Sequence, residues 1–253
     1  MAEPPLISAR DVTFGYNREV VVEDVSFDIY PRDFLAIIGP NGGGKTTLVK
    51  ILLGLLKPWS GEVVYHLPDR KGRKGHRGAL GYVPQFSTFD KSFPLRVADV
   101  VLMGRLGSRG LLRPYTRADR TEAGSALDRL GIADLAGAHI NEISGGQLQR
   151  TLIARALVSE PEALFLDEPT ASIDAESRGS LLGILEELNR RIPVVVITHD
   201  VTAIAPMVQR IACINRRLFY HGPELDQHAL EEVYGCPVEL VAHGVAHRVL
   251  HSH

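Results

Sequence analysis

The stretch Asp33–Leu56, DFLAIIGPNGGGKTTLVKILLGLL, carries three signals in order. Phe34–Ile38 is a short apolar run with polar flanks, the pattern of a strand buried on both faces. Gly39–Thr47, GPNGGGKTT, fits GxxxxGK[ST]. KTTLVKILLGLL then has helical spacing and is expected to stop at KPWSG. A glycine-rich loop between a strand and a helix lets backbone N–H groups and a helix N-terminus wrap a di- or triphosphate, because no side chain blocks the approach. In this reading Lys45 meets the β- and γ-phosphates and the Thr46 hydroxyl is a Mg²⁺ ligand. A plain glycine turn with an incidental lysine leaves the flanking strand and helix unexplained.

Working outward, LISARDVTF and VVEDVSFDI on the N-terminal side read as strands joined by a turn at GYNR. On the C-terminal side, residues 86–159 lack strand character. They give helical pieces instead: LRVADVVLMGRL, and RADRTEAGSALDRLGI with Ala126, Leu127 and Leu130 about a turn apart. Then come the buried strand ALFLD, a helix DAESRGSLLGILEELNRR capped by Asp174, the buried strand PVVVIT, and a helix VTAIAPMVQR interrupted by Pro206. RIACI and RLFYHG form a hairpin split by Asn215 and Arg216. Alternating strand and helix predict an α/β fold with a mostly parallel sheet covered on both faces.

Composition narrows the function. The chain has 253 residues, 45% apolar and 23% charged, which excludes disordered and fibrous classes. A formal net charge of −2 gives no basic footprint for nucleic acid, so no nucleic-acid partner is expected. Two cysteines, Cys213 and Cys236, are too few for a disulfide scaffold, and MAEPPLISAR has no basic or apolar leader pattern, which points to the cytoplasm. No run approaches the roughly 20 apolar residues that cross a bilayer, so a membrane role would be borrowed from a partner.

Further chemistry sits at strand ends. ALFLDEPT delivers Asp167 and Glu168 from a buried strand into a loop, the usual ligand edge of an α/β sheet. Adjacent acids on an extended chain project differently, so Asp167 can serve the metal while Glu168 acts as general base or polariser of the attacking water. His199 follows PVVVIT in the same way and is placed to hydrogen-bond the γ-phosphate or the Glu168 region. Gln85, in GYVPQ, has an amide that can reach the metal, the attacking water or both. A second phosphate-like feature is NEISGGQLQR, Asn141–Arg150, where Ser144 and the amides of Gly145 and Gly146 open a helix with Leu148, Leu152 and Ala156 on its buried stripe. The alternative is a helix start with a serine cap.

The set GPNGGGKTT, YVPQ, ISGGQ, LFLDEPT, ASID and ITHD, in this order, resembles an ABC-transporter ATPase subunit over roughly Leu6–Gly222. The resemblance implies a P-loop ATPase core with an antiparallel β subdomain, over residues 1–85 and 160–222, a helical signature subdomain over 86–159, and a histidine-rich tail over 223–253. It implies that Gly39, Pro40, Asn41, Gly42, Gly43, Gly44, Lys45, Thr46 and Thr47 form the Walker A loop. Gln85 is then the Q-loop glutamine, Ser144, Gly145, Gly146 and Gln147 the signature, Asp167 and Glu168 the Walker B pair, and His199 the switch histidine. Tyr16 occupies the place of the adenine-stacking aromatic. Mg²⁺ would be held by Thr46, Gln85 and Asp167. The signature would cap the γ-phosphate of ATP bound to a second copy of the chain, so two ATP molecules would sit in a head-to-tail dimer. Two residues depart from the family pattern: Ile143 stands where leucine is usual, and Gly43 where serine, alanine or cysteine is commoner.

The implied partners are integral membrane permease subunits and, indirectly, an extracytoplasmic substrate-binding protein, with the ATPase peripheral on the cytoplasmic face of the membrane. FDKSFPLRVADVVLMGRLG and INRRLFYHGP resemble the corresponding segments of zinc and manganese importer ATPases, with Phe93–Arg105 as the groove for the permease. Siderophore or haem importers are the alternative, as is a non-transport ABC ATPase; an ATPase for assembling iron–sulfur centres or for lipoprotein release is a third reading. Repair ATPases insert a long coiled coil before the signature, and translation-type relatives carry two units in one chain; neither pattern is present. Residues 221–253 carry six of the ten histidines, and His247 with His251 has a spacing that could share a metal, though a solvated tail is the competing reading. Asp69–Gly78, DRKGRKGHRG, reads as a basic loop that is solvated or lies near lipid headgroups.

Overall fold

Ile7–Tyr16 (β1) and Glu19–Ile29 (β2) form the expected antiparallel hairpin, with Tyr16 paired to Glu19. Both turn residues, Asn17 and Arg18, have positive φ (49° and 69°), the twist that a two-residue hairpin favours. Ser60–Tyr65 (β4) pairs with the other edge of β1, giving a three-stranded sheet ordered β2-β1-β4. The computed structural model describes residues 3–68, 78–85, 94–109, 113–171, 173–199 and 201–222. The tail from residue 223, nearly all of the basic loop, and Phe93 lie outside them.

Phe34–Ile38 (β3), Leu80–Val83 (β5), Ala163–Asp167 (β6), Val194–Ile197 (β7), Arg210–Asn215 (β8) and Arg217–Gly222 (β9) build a second sheet in the order β5-β6-β7-β3-β8-β9. All its neighbouring pairs are parallel except β8 with β9. Every residue of β3, β6 and β7 is buried. Their side chains alternate between two cores. Phe34, Ala36, Ile38, Leu164, Leu166, Val194 and Val196 join the one shared with the helical insertion. Leu35, Ile37, Phe165, Val195 and Ile197 join the one shared with the antiparallel sheet. Each large apolar side chain so withdrawn from water contributes about 1.5–3 kcal/mol. This double burial is why the three strands read as unbroken apolar runs.

The helices are Lys45–Leu52 (α1), Val97–Met103 (α2), Leu106–Arg109 (α3), Arg117–Arg129 (α4), Gly145–Leu157 (α5), Ala175–Asn189 (α6) and Val201–Ile204 (α7). α4 is closed by a capping box between Thr116 and Asp119, and α6 by Asp174, whose carboxylate accepts from Ser177 N–H at 2.8 Å. Three spans differ from the sequence reading. α1 stops at Leu52 because Gly54 takes a left-handed φ of 69° and folds the chain back, with Leu55 N–H on the Lys50 carbonyl at 2.8 Å. LRVADVVLMGRL breaks after Met103, where Gly104 lies so close to α5 that a Cβ would be 2.0 Å from the Arg155 carbonyl oxygen. VTAIAPMVQR yields only the single turn Val201–Ile204 before Pro206.

α5 packs on α2, α4, β5 and α6, so the helical insertion shares a core with the main sheet. Leu148, Leu152 and Ala156 are buried as the stripe predicts, and so are Val97, Val100, Val101 and Leu102 of α2. In the expected permease groove, the apolar residues of α2 therefore serve the core, and only Met103 among them is exposed. Among the described residues no helix is long and apolar enough to cross a membrane.

Candidate nucleotide site

The sheet order gathers the site. The glycine loop follows β3, Gln85 follows β5, Asp167 ends β6 and His199 follows β7; in the sheet β5, β6, β7 and β3 are consecutive neighbours. All four segments leave parallel strands at their carboxyl ends, where such sheets bind ligands. A cleft of about 380 Å³ is lined by Tyr16, Asn41–Thr47, Gln85, Asp167 and Glu168, with Val21 and Ile197 as its apolar wall.

The loop is shaped by close backbone packing. Gly44, the N-cap of α1, has φ 89°, and a Cβ there would lie 2.5 Å from the Val21 carbonyl oxygen. Only glycine fits both demands. At Gly43, one of the two departures from the family pattern, a Cβ would be 3.0 Å from the Pro40 oxygen and 3.1 Å from the Ile214 oxygen, tight but within reach of a small shift. The Lys45 ammonium is buried and donates to the carbonyls of Gly39 (2.9 Å) and Pro40 (2.8 Å). Burial lowers its pKa, while the charges of Glu168 and Asp167 oppose that shift. Gly39 and Pro40 thus serve the lysine through their carbonyls and do not line the cleft.

Thr46 donates its hydroxyl to Asp167 Oδ2 at 2.8 Å, joining the start of α1 to the end of β6. Asp167 is raised above its ordinary pKa by burial; the Thr46 hydrogen bond opposes this, the neighbouring Glu168 reinforces it, and Lys45 and Lys50 counter it further. A hydroxyl and a carboxylate held together, with the Gln85 amide lining the same cleft, are hard oxygen donors of the type that hold Mg²⁺ alongside phosphates and water. Mg²⁺ is usually bound through one or two protein oxygens together with phosphates and water, and the pair Thr46–Asp167 beside Gln85 fits that pattern.

Glu168 has a left-handed φ of 51°, which turns the chain immediately beyond Asp167 and separates the directions of the two acids. Its N–H donates to the Ile197 carbonyl at 2.9 Å, tying it to β7. Its side-chain Oε1 lies 2.8 Å from His199 Nδ1. A carboxylate at Nδ1 fixes that nitrogen as the N–H donor and leaves Nε2 facing away from Glu168. His199 is not among the residues lining the cleft and meets the site through Glu168.

The signature segment is elsewhere. Ser144–Gln147 do not line this cleft. Ser144 is the N-cap of α5: its hydroxyl accepts from Gln147 N–H at 3.2 Å, and Gln147 Oε1 accepts from Ser144 N–H at 2.8 Å. This reciprocal pair is a capping box, so the glutamine has a local role that the serine-cap alternative left out. Gly146 also has one, since a Cβ there would be 2.8 Å from Ser177 Cβ and 3.2 Å from Ile173 Cγ2. Sequence reading missed Tyr82, a half-buried aromatic on β5 whose hydroxyl is pushed up to about 12 by burial, then by the charge of and hydrogen bond to Asp167. The tyrosine that opens YVPQ reads as a strand residue of the core, and only the pairing of β5 with β6 reveals the contact.

The ABC transporter family model matches residues 22–171. The high-affinity zinc uptake system ATP-binding protein ZnuC of Bacillus subtilis is 36% identical over 214 residues, covering 83% of this chain and 91% of its own length. The manganese transport system ATP-binding protein MntB of the same organism is 37% identical over 228 residues, 90% of each chain. Among solved structures, cbiO1 of Clostridium perfringens, part of the ABC transporter complex cbiONQ, superposes with a TM-score of 0.73 at 28% identity, over 87% of this chain and 89% of that one.

Proposed function

The chain belongs to the ABC transporter ATP-binding family, and from that premise we propose that it is the ATPase of a metal-ion importer carrying zinc or manganese. The observation that carries the ATPase site is the convergence of Lys45, Thr46, Asp167, Glu168, Gln85 and Tyr16 on one cleft. The cargo rests on the similarity to ZnuC and MntB over nine-tenths or more of their lengths.

In this reading the glycine loop and the N-terminus of α1 bind the phosphates of ATP through backbone N–H groups, and Lys45 adds its charge. Thr46, Asp167 and Gln85 would hold Mg²⁺, which would supply charge neutralisation on the phosphates. Glu168 takes the proton of the attacking water as general base, and His199 fixes the direction of its carboxylate. Tyr16 offers its ring to the base.

Ser144, Gly145, Gly146 and Gln147 act on the ATP of a second copy of the chain. Their separation from this chain's own cleft supports that assignment, as does the exposure of Ser144 at the helix N-terminus. Two chains then close head to tail around two ATP molecules. Closure is passed to integral permease subunits that receive the cargo from an extracytoplasmic binding protein, the ATPase being peripheral on the cytoplasmic face. The test of cargo is growth of a deletion strain on limiting zinc, manganese or iron, with and without the plasmid-borne gene. Rescue on limiting zinc or manganese is expected; rescue confined to iron–siderophore medium would refute it.

A further inference from the structure

Tyr16 is the last residue of β1 and is 45% exposed at the mouth of the cleft. An aromatic ring in that position has several open rotamers unless a neighbour holds it. Two further rings follow it in successive contact. Phe14, two residues back, packs its ring against Tyr16 edge to face, at 5.1 Å between centroids and 87° between planes. Trp59 then lies against Phe14 at 5.9 Å and 41°. Phe14 is 8% exposed, whereas Trp59 is 52% exposed.

Trp59 is fixed from its backbone as well. Its N–H donates to the Thr13 carbonyl at 2.8 Å, just before β4 pairs with β1 at Thr13 and Ser60. Its ring reaches over the β1 backbone, where a Cβ at Gly15 would be 2.6 Å from Trp59 Cη2 and 2.0 Å from the Glu19 carbonyl oxygen. The missing side chain at Gly15 is what lets the indole sit between Phe14 and the hairpin.

We propose that Trp59 is a positioning residue for the nucleotide base: it braces Phe14, and Phe14 holds the Tyr16 ring in the orientation that stacks on the base. The proposal rests on the reading of this cleft as the nucleotide site. Trp59 touches no part of the nucleotide and acts by raising the fraction of chains whose Tyr16 ring is ready; apparent affinity scales with that fraction.

The experiment is equilibrium binding of ADP and of inorganic pyrophosphate to the purified full-length chain. ADP reports base and phosphate contacts together, and pyrophosphate reports the glycine loop alone. Trp59→Ala and Trp59→Leu are expected to weaken ADP roughly two- to tenfold, the range an aromatic pair supports, and to leave pyrophosphate unchanged. Trp59→Phe should retain most of the ADP affinity. In a Tyr16→Ala background, Trp59→Ala should have no further effect, since its only route to the base is gone. Unchanged ADP affinity in Trp59→Ala, an equal loss for pyrophosphate, or full additivity with Tyr16→Ala would each overturn the proposal. Should Trp59→Ala fail to fold, Trp59→Leu and Trp59→Phe carry the same comparison. Failure of the wild-type chain to bind ADP, or Lys45→Ala binding it as well as wild type does, would overturn the nucleotide reading itself and is told apart by those two arms.

Discussion

Glu168 and His199 leave different strands, β6 and β7, and meet with Oε1 of one 2.8 Å from Nδ1 of the other. The contact gives the carboxylate a fixed direction at the edge of the cleft. Glu168→Gln is therefore expected to lower kcat roughly 10²–10⁴-fold while ATP still binds, and to leave an ATP-bound dimer visible by size exclusion. His199→Ala should lower kcat less, and should add nothing in the Glu168→Gln background, because it acts through that carboxylate. A Glu168→Gln protein that stays monomeric in saturating ATP would refute the closed dimer.

Asp167 illustrates a functional group held at the expense of stability. Its pKa is raised in the fold, so the ionised form is disfavoured there; that penalty is present at neutral pH and is relieved as pH falls through the folded pKa toward the unfolded value. Asp167→Asn should thus raise the Tm of the nucleotide-free chain by roughly a few degrees at pH 7 and by less near pH 4, while Mg²⁺-dependent hydrolysis is lost. Equal Tm values for the two proteins at pH 7 would contradict the burial penalty.

Ser144 allows stability and function to be separated. Aspartate is as good an N-cap acceptor as serine, so Ser144→Asp should keep α5 folded, with thermal stability unchanged or slightly raised. The added negative charge should nevertheless abolish ATP-driven dimerisation. Binding of ATP to the monomer should persist, since Ser144 does not line its own chain's cleft. Loss of monomer binding would place the signature at the wrong site.

His221, on β9, is held near a pKa of about 4 by burial, with Arg210 lowering it further and Asp28 opposing. A depressed folded pKa means that stability is intact above the unfolded value of about 6.5 and is lost as pH falls through the folded one. His221→Gln should flatten the fall in stability between about pH 6.5 and 4, measured by urea denaturation at each pH. An unchanged slope would show that other groups set it.

Gly44→Ala places a side chain at φ 89° and 2.5 Å from the Val21 carbonyl. The loop would have to shift away from β2, costing about 1–3 kcal/mol and displacing the N-terminus of α1. Both the urea midpoint and pyrophosphate affinity should fall; retention of both would show that the loop has slack there.

The three innermost strands were legible because burial on two faces forces continuous apolar runs, and Lys45, Asp167, Glu168 and His199 stood out because they follow or end such runs; Gln85 follows β5, which is buried on one face only. Positions set by distant backbone were not. Nothing near Gly104 announces the Arg155 carbonyl that excludes a side chain there, and α1 looked longer than it is because GLL continues its apolar spacing past the left-handed Gly54. Tyr82 was hidden for a related reason: a hydroxyl gains meaning only from the strand beside it. Ser144 and Gln147 were legible in a second sense that phosphate chemistry obscured, since the same spacing closes a helix.

A Cβ on Gly146 would run into Ser177 and Ile173, so the gap between the start of α5 and the start of α6 has no room for a side chain at that position. Ile173 follows Glu168 by one short turn of chain. With so little room between them, a shift of the segment beyond Glu168 would either press on α5 or open a gap there. A bulkier residue at 146 would act as a shim, and a smaller one at 173 as backlash.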